Sequence, residues 1–556
     1  VISTERQDQW REVIEPLLLR LIAARSDTNT AFEAVIEELI LTWIKSRPYF
    51  CEHPELMGTQ SLEDDIYQRK VVWALVRGES RRTVVLFHHH DAVGIADYGK
   101  LQELALRPDD LADALSRRKL SPRVRSDLES GKWLFGRGSA DMKSGAAIQM
   151  AVLSHFSAGA KLPFSLLLLS VPDEETLSRG MLQAVRLMRE LRRSQNLEYV
   201  LSINSEPYFN QVRDQAILFE GSVGKIMPIM YVKGVRSHVG DPYAGLNPSL
   251  VMANLQRLSE LNTDLCDRNG NDATPPPVWV NLKDRKRDYD ASIPEAAAGY
   301  FNWLTFTRSP ADIMIIMKKL ATRALDDTLK HHESSYLRFC EMTGEDADDI
   351  DFEPEVLEYR ELHQRALQIG GSAFLDSLAE LSDSLATMTA KKEITLPEAA
   401  IRLLEFVADA ADLEGPAVVL GLSGPYYPHV SNESLPGASN INLAETIDAI
   451  SRELYGVRYE SRPYFMGISD TSYAAWVGDE RAIDAVRENS PGWDRIYHIP
   501  FDAIRELRAP VLNLGPWGKD LHKPSERVYA DDVYRRIPEI ITRFLESMFG
   551  IPADER

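Results

Sequence analysis

Short apolar runs of strand length, most of them followed by helical stretches, constrain this 556-residue chain more than any other feature. VVWALV (71–76), LLLLS (166–170), YVLSI (199–203) and VLNL (511–514) are such runs, and helical stretches start at Gly145 (GAAIQMAVLSHF) and Gly180 (GMLQAVRLMRELRR). This strand–helix alternation predicts an α/β fold with a mostly parallel sheet covered on both faces. VVWALV, a turn around RGESRR and TVVLF (83–87) read as a hairpin. Residues 6–45 read as helix, with Ile14, Leu17, Leu18, Leu21 and Ile22 at helical spacing.

A second region begins near Gly221 with the strand KIMPIMYVKG and a helix opened by Asn247 and Pro248, an N-cap and N1 pair. PVWVNL from Pro277 and YFNWLTF from Tyr300 add strands, residues 311–411 are mainly helical, and AVVLGL from Ala417 adds one strand more. Asn442 with Glu445 makes a capping-box start for a further helix.

Length at ~150 residues per domain admits two to four domains. The net charge of −21 argues against a nucleic-acid backbone or an anionic membrane surface as partner, and leaves carboxylates free to serve as hard metal ligands. Three scattered cysteines (Cys51, Cys266, Cys340) form no CxxC, which excludes a disulfide framework and a thiolate zinc site. No apolar run reaches the ~18 residues of a membrane span. The start, VISTERQDQWREV, has no basic and apolar leader pattern and no initiator Met, so the numbering is expected to begin inside the natural chain; a cytoplasmic protein is expected.

The histidines are unevenly placed: of twelve, His88, His89 and His90 are consecutive and precede Asp91. On a strand His89 and Asp91 share one face, which suits a metal ligand and the carboxylate that orients it. A polar strand end with satisfied histidines is the alternative. Asp141 follows a Gly-rich turn (FGRGSADMKSG), Glu174 and Glu175 follow LLLLS, and Glu206 follows YVLSI. Separately these read as a helix-start charge, a solvated turn and a loop acid. Together they stand beyond strand ends, where open α/β sheets place ligands. His522 follows VLNL and a Gly/Pro-rich loop. His89, Asp141, Glu175, Glu206 and His522 form a nitrogen–oxygen set able to hold two divalent metals, zinc first, with cobalt or manganese as substitutes.

The series His-x-Asp (His89, Asp91), GRGxxDMKxG (Asp141), a glutamate pair (Glu174, Glu175), Glu-Pro (Glu206) and a distal histidine (His522) resembles the M20 co-catalytic metallopeptidases, which include carboxypeptidases, dipeptidases and aminoacylases. The resemblance implies a phosphorylase/hydrolase-like sheet domain with an inserted βαββαβ lid. The division would be 1–215 catalytic, 216–432 lid and dimerisation with a helical insert at about 320–415, and 433–556 catalytic. It also implies that Asp141 bridges two metals, that His89 and Glu206 hold one, and that Glu175 and His522 hold the other. Glu174 would then be the general base and Asp91 the group that orients His89. GVRSHVGDPYAGLNP resembles the lid loop whose histidine, here His238, stabilises an oxyanion in the active site of a second subunit. Asn247, Ser469, Asp470 and Gly515 are candidates for the substrate pocket. Overall length, HHHDAVGIADYG and PYYPHV resemble the arginine-utilisation (RocB-type) branch.

Departures from the family pattern are informative. The Asp-x-Arg that grips a substrate carboxylate in many relatives is missing, and Arg308 is displaced in register. A charged helical insert lies between Asp91 and Asp141. The run GEDADDIDFEPE lacks the glycine of a calcium loop and reads as a solvated acidic loop. GSADMKS fails as a phosphate-binding loop, and there is no G-x-S-x-G elbow. The remaining histidines read as surface or packing residues, His429 having some claim to the pocket. The expected activity is hydrolysis of an amide bond in a small amino-acid-derived substrate. A carbamoyl or amidine C–N hydrolase and a metal-binding protein without catalysis are the alternatives.

Overall fold

The computed structural model describes residues 4–159, 161–209, 215–348, 352–435 and 442–551. The chain forms two compact units: Val1–Ser222 with Val430–Val477 and Pro500–Arg556, and Val223–His429 with Gly478–Ile499.

The first unit is built on an eight-stranded sheet. Its spatial order is Met57–Ser61, Lys70–Val76, Ser165–Val171, Arg82–His89, Glu198–Asn204, Val511–Asn513, Gln215–Phe219 and Arg458–Arg462. The four central strands, from Ser165–Val171 to Val511–Asn513, are mutually parallel. Leu166 and Leu168 join a core with Ile14 and Leu18 of helix Thr4–Ala23 and Ile148 and Val152 of helix Ser144–Ser157. Leu167 and Leu169, on the alternate side of the same strand, are equally buried, so both faces are covered. Helix Arg179–Ser194 packs along Lys70–Val76 and Ser165–Val171.

Two expectations are corrected. Strands Lys70–Val76 and Arg82–His89 do not pair as a hairpin, because Ser165–Val171 lies between them, antiparallel to the first and parallel to the second. That strand is buried along its whole length and takes the central position, leaving the polar turn to cross its end. Residues 6–45 are two helices, Thr4–Ala23 and Glu33–Lys45. The intervening SDTNT run bonds otherwise than a helix: Thr28 N donates to Ala92 O, outside the run, and Thr30 Oγ1 to Asp27 O within it.

The second unit carries a five-stranded sheet in the order Val278–Asp284, Ala296–Thr305, Gly224–Lys233, Ala417–Tyr427 and Glu355–Glu358. Along the chain it reads strand Gly224–Lys233, helix Pro248–Ser259, a short separate strand pair (Arg268–Asn269 and Asp272–Ala273), two strands of the sheet, helix Pro310–Thr343 and, after an insertion, strand Ala417–Tyr427. The insertion adds Glu355–Glu358 as a parallel edge strand and the helices Tyr359–Ala390 and Leu396–Ala410. Asn247 caps its helix by accepting from Ser249 N at 2.9 Å. Asn442 makes no such cap; its side-chain amide donates to Glu445 instead. In the GEDADDIDFEPE run, residues 349–351 lie outside the described residues, as do 210–214 beside the boundary expected at 215. Among the described residues, no helix is long and apolar enough to cross a membrane.

Candidate metal centre

The chemistry-bearing residues gather beyond the carboxyl ends of the central parallel strands. Arg82–His89 ends on His89, Ser165–Val171 leads into Asp173, Glu174 and Glu175, and Glu198–Asn204 leads into Glu206. Asp141 enters from the turn that opens helix Ser144–Ser157. His89 Nε2 lies 3.1 Å from Asp141 Oδ1 and 3.3 Å from Glu206 Oε1. His522 Nε2 lies 3.3 Å from Asp141 Oδ2 and 3.1 Å from Glu175 Oε2. Each oxygen of Asp141 therefore faces a different imidazole. The donors fall into two groups, His89–Asp141–Glu206 and Asp141–Glu175–His522, with Asp141 in both. Ligand atoms ~2.1 Å from one tetrahedral cation lie ~3.4 Å apart, close to these separations.

The electrostatics fit cations as well. Burial pushes the Glu206 carboxyl up to about 7, with the Asp141 charge adding to it. Burial also raises Glu175, helped by Asp141, and raises Glu174 well above the carboxylate range, helped by Asp470 and Glu206. Burial alone would lower His89, but Glu206, Glu174 and the bond to Asp141 outweigh it and hold the imidazole well above its usual value. Bonds to Asp141 and Glu175 push His522 up to about 10. Glu175 Oε1 is buried with no hydrogen-bond partner. An excess of buried carboxylate, an unmatched oxygen and donors confined to imidazole and carboxylate together suit two divalent cations.

Residues 112–547 match the family described as Peptidase family M20/M25/M40. The chain belongs to that family. Its similarity to the uncharacterized protein YqjN of Bacillus subtilis strain 168 is 33% identity, covering 96% of each chain. To protein RocB of the same organism it is 28%, over 95% of this chain and 94% of that one. A succinyl-diaminopimelate desuccinylase of Xylella fastidiosa is 27% identical over 39% of this chain and 49% of its own. The crystal structure of an M20 metallo-carboxypeptidase from Sulfolobus solfataricus shares the fold, with TM-score 0.50 and 11% identity over 97% and 99% of the two chains.

In this M20 chain the rest of the site is backbone support. Asp91 accepts from Glu174 N and Glu175 N, one carboxylate oxygen each, at 3.1 and 3.2 Å. His89 Nδ1 is 3.1 Å from the Asp91 carbonyl and 3.5 Å from its Oδ1. His88 and His90 are buried with protein partners, Gln149 Oε1 and Ser170 Oγ. Burial pushes His88 down to about 3, which keeps it neutral. Gln149 also donates to Phe87 O, Ile203 O and Ser205 Oγ, tying two strand ends to the helix.

Of the pocket candidates, Asp470 is buried beside the site's charges and pushed up to about 8 by that burial. Ser469 accepts from Thr471 N. A Cβ on Gly515 would lie 2.2 Å from Glu206 O, so this glycine permits the close approach of two site segments. Asn247 and His238 belong to the second unit. There His238 is exposed, and its Nδ1 accepts from Gly240 N at 3.0 Å, leaving Nε2 as the donor. Arg308 is engaged: its guanidinium donates to Leu265 O and Cys266 O at 2.6 and 3.1 Å. Sequence reasoning missed Glu526, fully buried, which accepts from Ala140 N, Asp141 N and Arg137 Nη1. Its only signal was a carboxylate four residues after His522.

Proposed function

We propose that this chain is a dinuclear metal-dependent hydrolase that cleaves an amide bond in a small amino-acid-derived substrate. The observation that carries the reading is the pair of donor groups sharing Asp141. His89, Asp141 and Glu206 would hold one cation, and Asp141, Glu175 and His522 the other, with zinc the best match to an imidazole–carboxylate set and cobalt or manganese as substitutes. Two cations bound there would polarise the scissile carbonyl and lower the pKa of attacking water towards ~7.

Glu174 belongs to neither donor group. Its Oε2 lies 3.9 Å from His89 Nε2, and burial among carboxylates raises its proton affinity, so that once ionised it is a stronger base than a free carboxylate. A carboxylate so placed takes the proton from attacking water at Oε2 and returns it to the leaving amine. His238, with Nδ1 occupied by Gly240 N–H, offers Nε2–H to a developing oxyanion, supplied from a second copy of the chain. Asp91 holds the backbone of the Glu174–Glu175 pair. The lid and catalytic domains would divide at about 216 and 432, with Gly478–Ile499 grouped with the lid.

Similarity to RocB along almost the whole chain, with the RocB-type sequence features, supports a substrate class in arginine utilisation. Arg308 is committed to two carbonyls, so the carboxylate grip of many relatives is not supplied by this side chain. The test is a panel of dipeptides, N-acyl amino acids and arginine-derived amides with the zinc-loaded protein, products read by mass. Hydrolysis of an amide is expected. Two bound metals with every amide left intact would overturn the reading.

A further inference from the structure

The turn that presents Glu174 and Glu175 is held by a buried ion network outside both donor groups. Asp173 sits at φ 71°, a left-handed conformation that side chains disfavour. Its N–H donates to Glu33 Oε2 at 2.9 Å. Its Oδ1 accepts from Thr176 Oγ1 and Arg69 Nη1, both at 2.7 Å, and its Oδ2 accepts from Arg179 N at 3.2 Å. The same Arg69 Nη1 donates to Glu33 Oε1 at 2.9 Å, and Nη2 to Asp65 Oδ1 at 2.7 Å. Arg69, Glu33 and Asp173 are almost fully buried. The next two residues are tied on the other side, where Glu174 N and Glu175 N meet the Asp91 carboxylate. The pair is thus pinned between strand Arg82–His89, through Asp91, and the entry to strand Lys70–Val76, through Arg69.

One guanidinium enclosed by three carboxylates is a costly way to stabilise a fold, since an apolar cluster of the same volume commonly does as well. What the planar fork adds is direction: it bonds several fixed acceptors at once.

We propose that Arg69, acting through Glu33 and Asp173, is a positioning residue for the Glu174–Glu175 turn. It sets Glu175 as a ligand of one cation and Glu174 as the proton acceptor while touching neither metal nor substrate. The inference rests on the dinuclear reading above for its consequences, but not for its geometry.

Arg69→Lys in the full chain keeps the positive charge and loses the fork. Amide hydrogen exchange in metal-free protein is expected to accelerate about tenfold or more at Glu174 and Glu175, with Leu167 and Leu168 unchanged. Calorimetric titration with Zn²⁺ is expected to show one site weakened about 10–100-fold and the other within about twofold. kcat should fall with KM unchanged. Unchanged exchange at the pair, or equal weakening of both sites, would overturn the proposal. Should Arg69→Lys not fold, Asp173→Gly removes the carboxylate while accepting φ 71°, and the same outcomes apply. If the unsubstituted protein binds no cation, the dinuclear reading falls, and exchange alone then decides the positioning role.

Discussion

Glu174 and Glu175 are neighbours to which the proposed chemistry gives separate tasks, because only Glu175 shares a donor group with His522 and Asp141. Glu174→Gln keeps volume and loses proton uptake. It is expected to lower kcat by about 10²–10⁴-fold with both metals retained, measured by turnover beside metal analysis. Full turnover would remove Glu174 from the proposed chemistry. Asp267, in the second unit, is a residue whose role is stability. Burial pushes its carboxyl up, yet the N–H groups of Thr307, Arg308 and Phe306 hold it below the usual value. A lowered folded pKa contributes stability above the unfolded value near ~4 and loses it as pH falls through the folded one. Asp267→Asn should therefore cost about 1–3 kcal/mol at pH 7, and the gap from the unsubstituted protein should narrow below about pH 4 in urea titrations. An equal gap at both pH values would contradict this. Such pairings are illegible in sequence: nothing in TDLCDRN announces that Asp267 meets residues 306–308.

At the scale of elements, the strand ends place the candidate ligands and glycines let the segments meet. Gly515 abuts Glu206 O, and Gly145, within helix Ser144–Ser157, abuts Ser205 O at 2.3 Å from a built Cβ. Gly515→Ala is expected to cost about 1–3 kcal/mol and to weaken cation binding at the His89–Asp141–Glu206 group more than at the other, measured by thermal unfolding and calorimetric titration. Equal binding at both groups would show that the loop absorbs the methyl. Strand and helix identities were largely legible, since LLLLS, YVLSI and KIMPIMYVKG occupy the sheet positions their composition implies. Strand partners were not. VVWALV and TVVLF are adjacent in sequence with a turn between, and local information favours a hairpin. The observed pairing depends on a strand some eighty residues later that is buried on both faces.

For the molecule as a whole, the proposal calls on a second copy of the chain, and His238 is the residue that tests this. His238→Ala should lower kcat by about 10²–10³-fold and leave cation binding unchanged, and sedimentation should find the active species as a dimer. An active monomer would contradict the contribution from a second copy. The order of motifs, His-x-Asp, Asp141, the glutamate pair, Glu206 and His522, is legible in the sequence because metal-binding chemistry demands particular side chains at strand ends, and both are local properties of the chain. Folding alone decided the rest: that Asp141 turns one oxygen to each imidazole, that Arg308 is spent on two carbonyls, and that Arg69 and Glu526 stand behind the candidate ligands. Those contacts join residues tens to hundreds of positions apart, and their geometry is set by which strands lie side by side in the packed sheet, which no short stretch of sequence encodes.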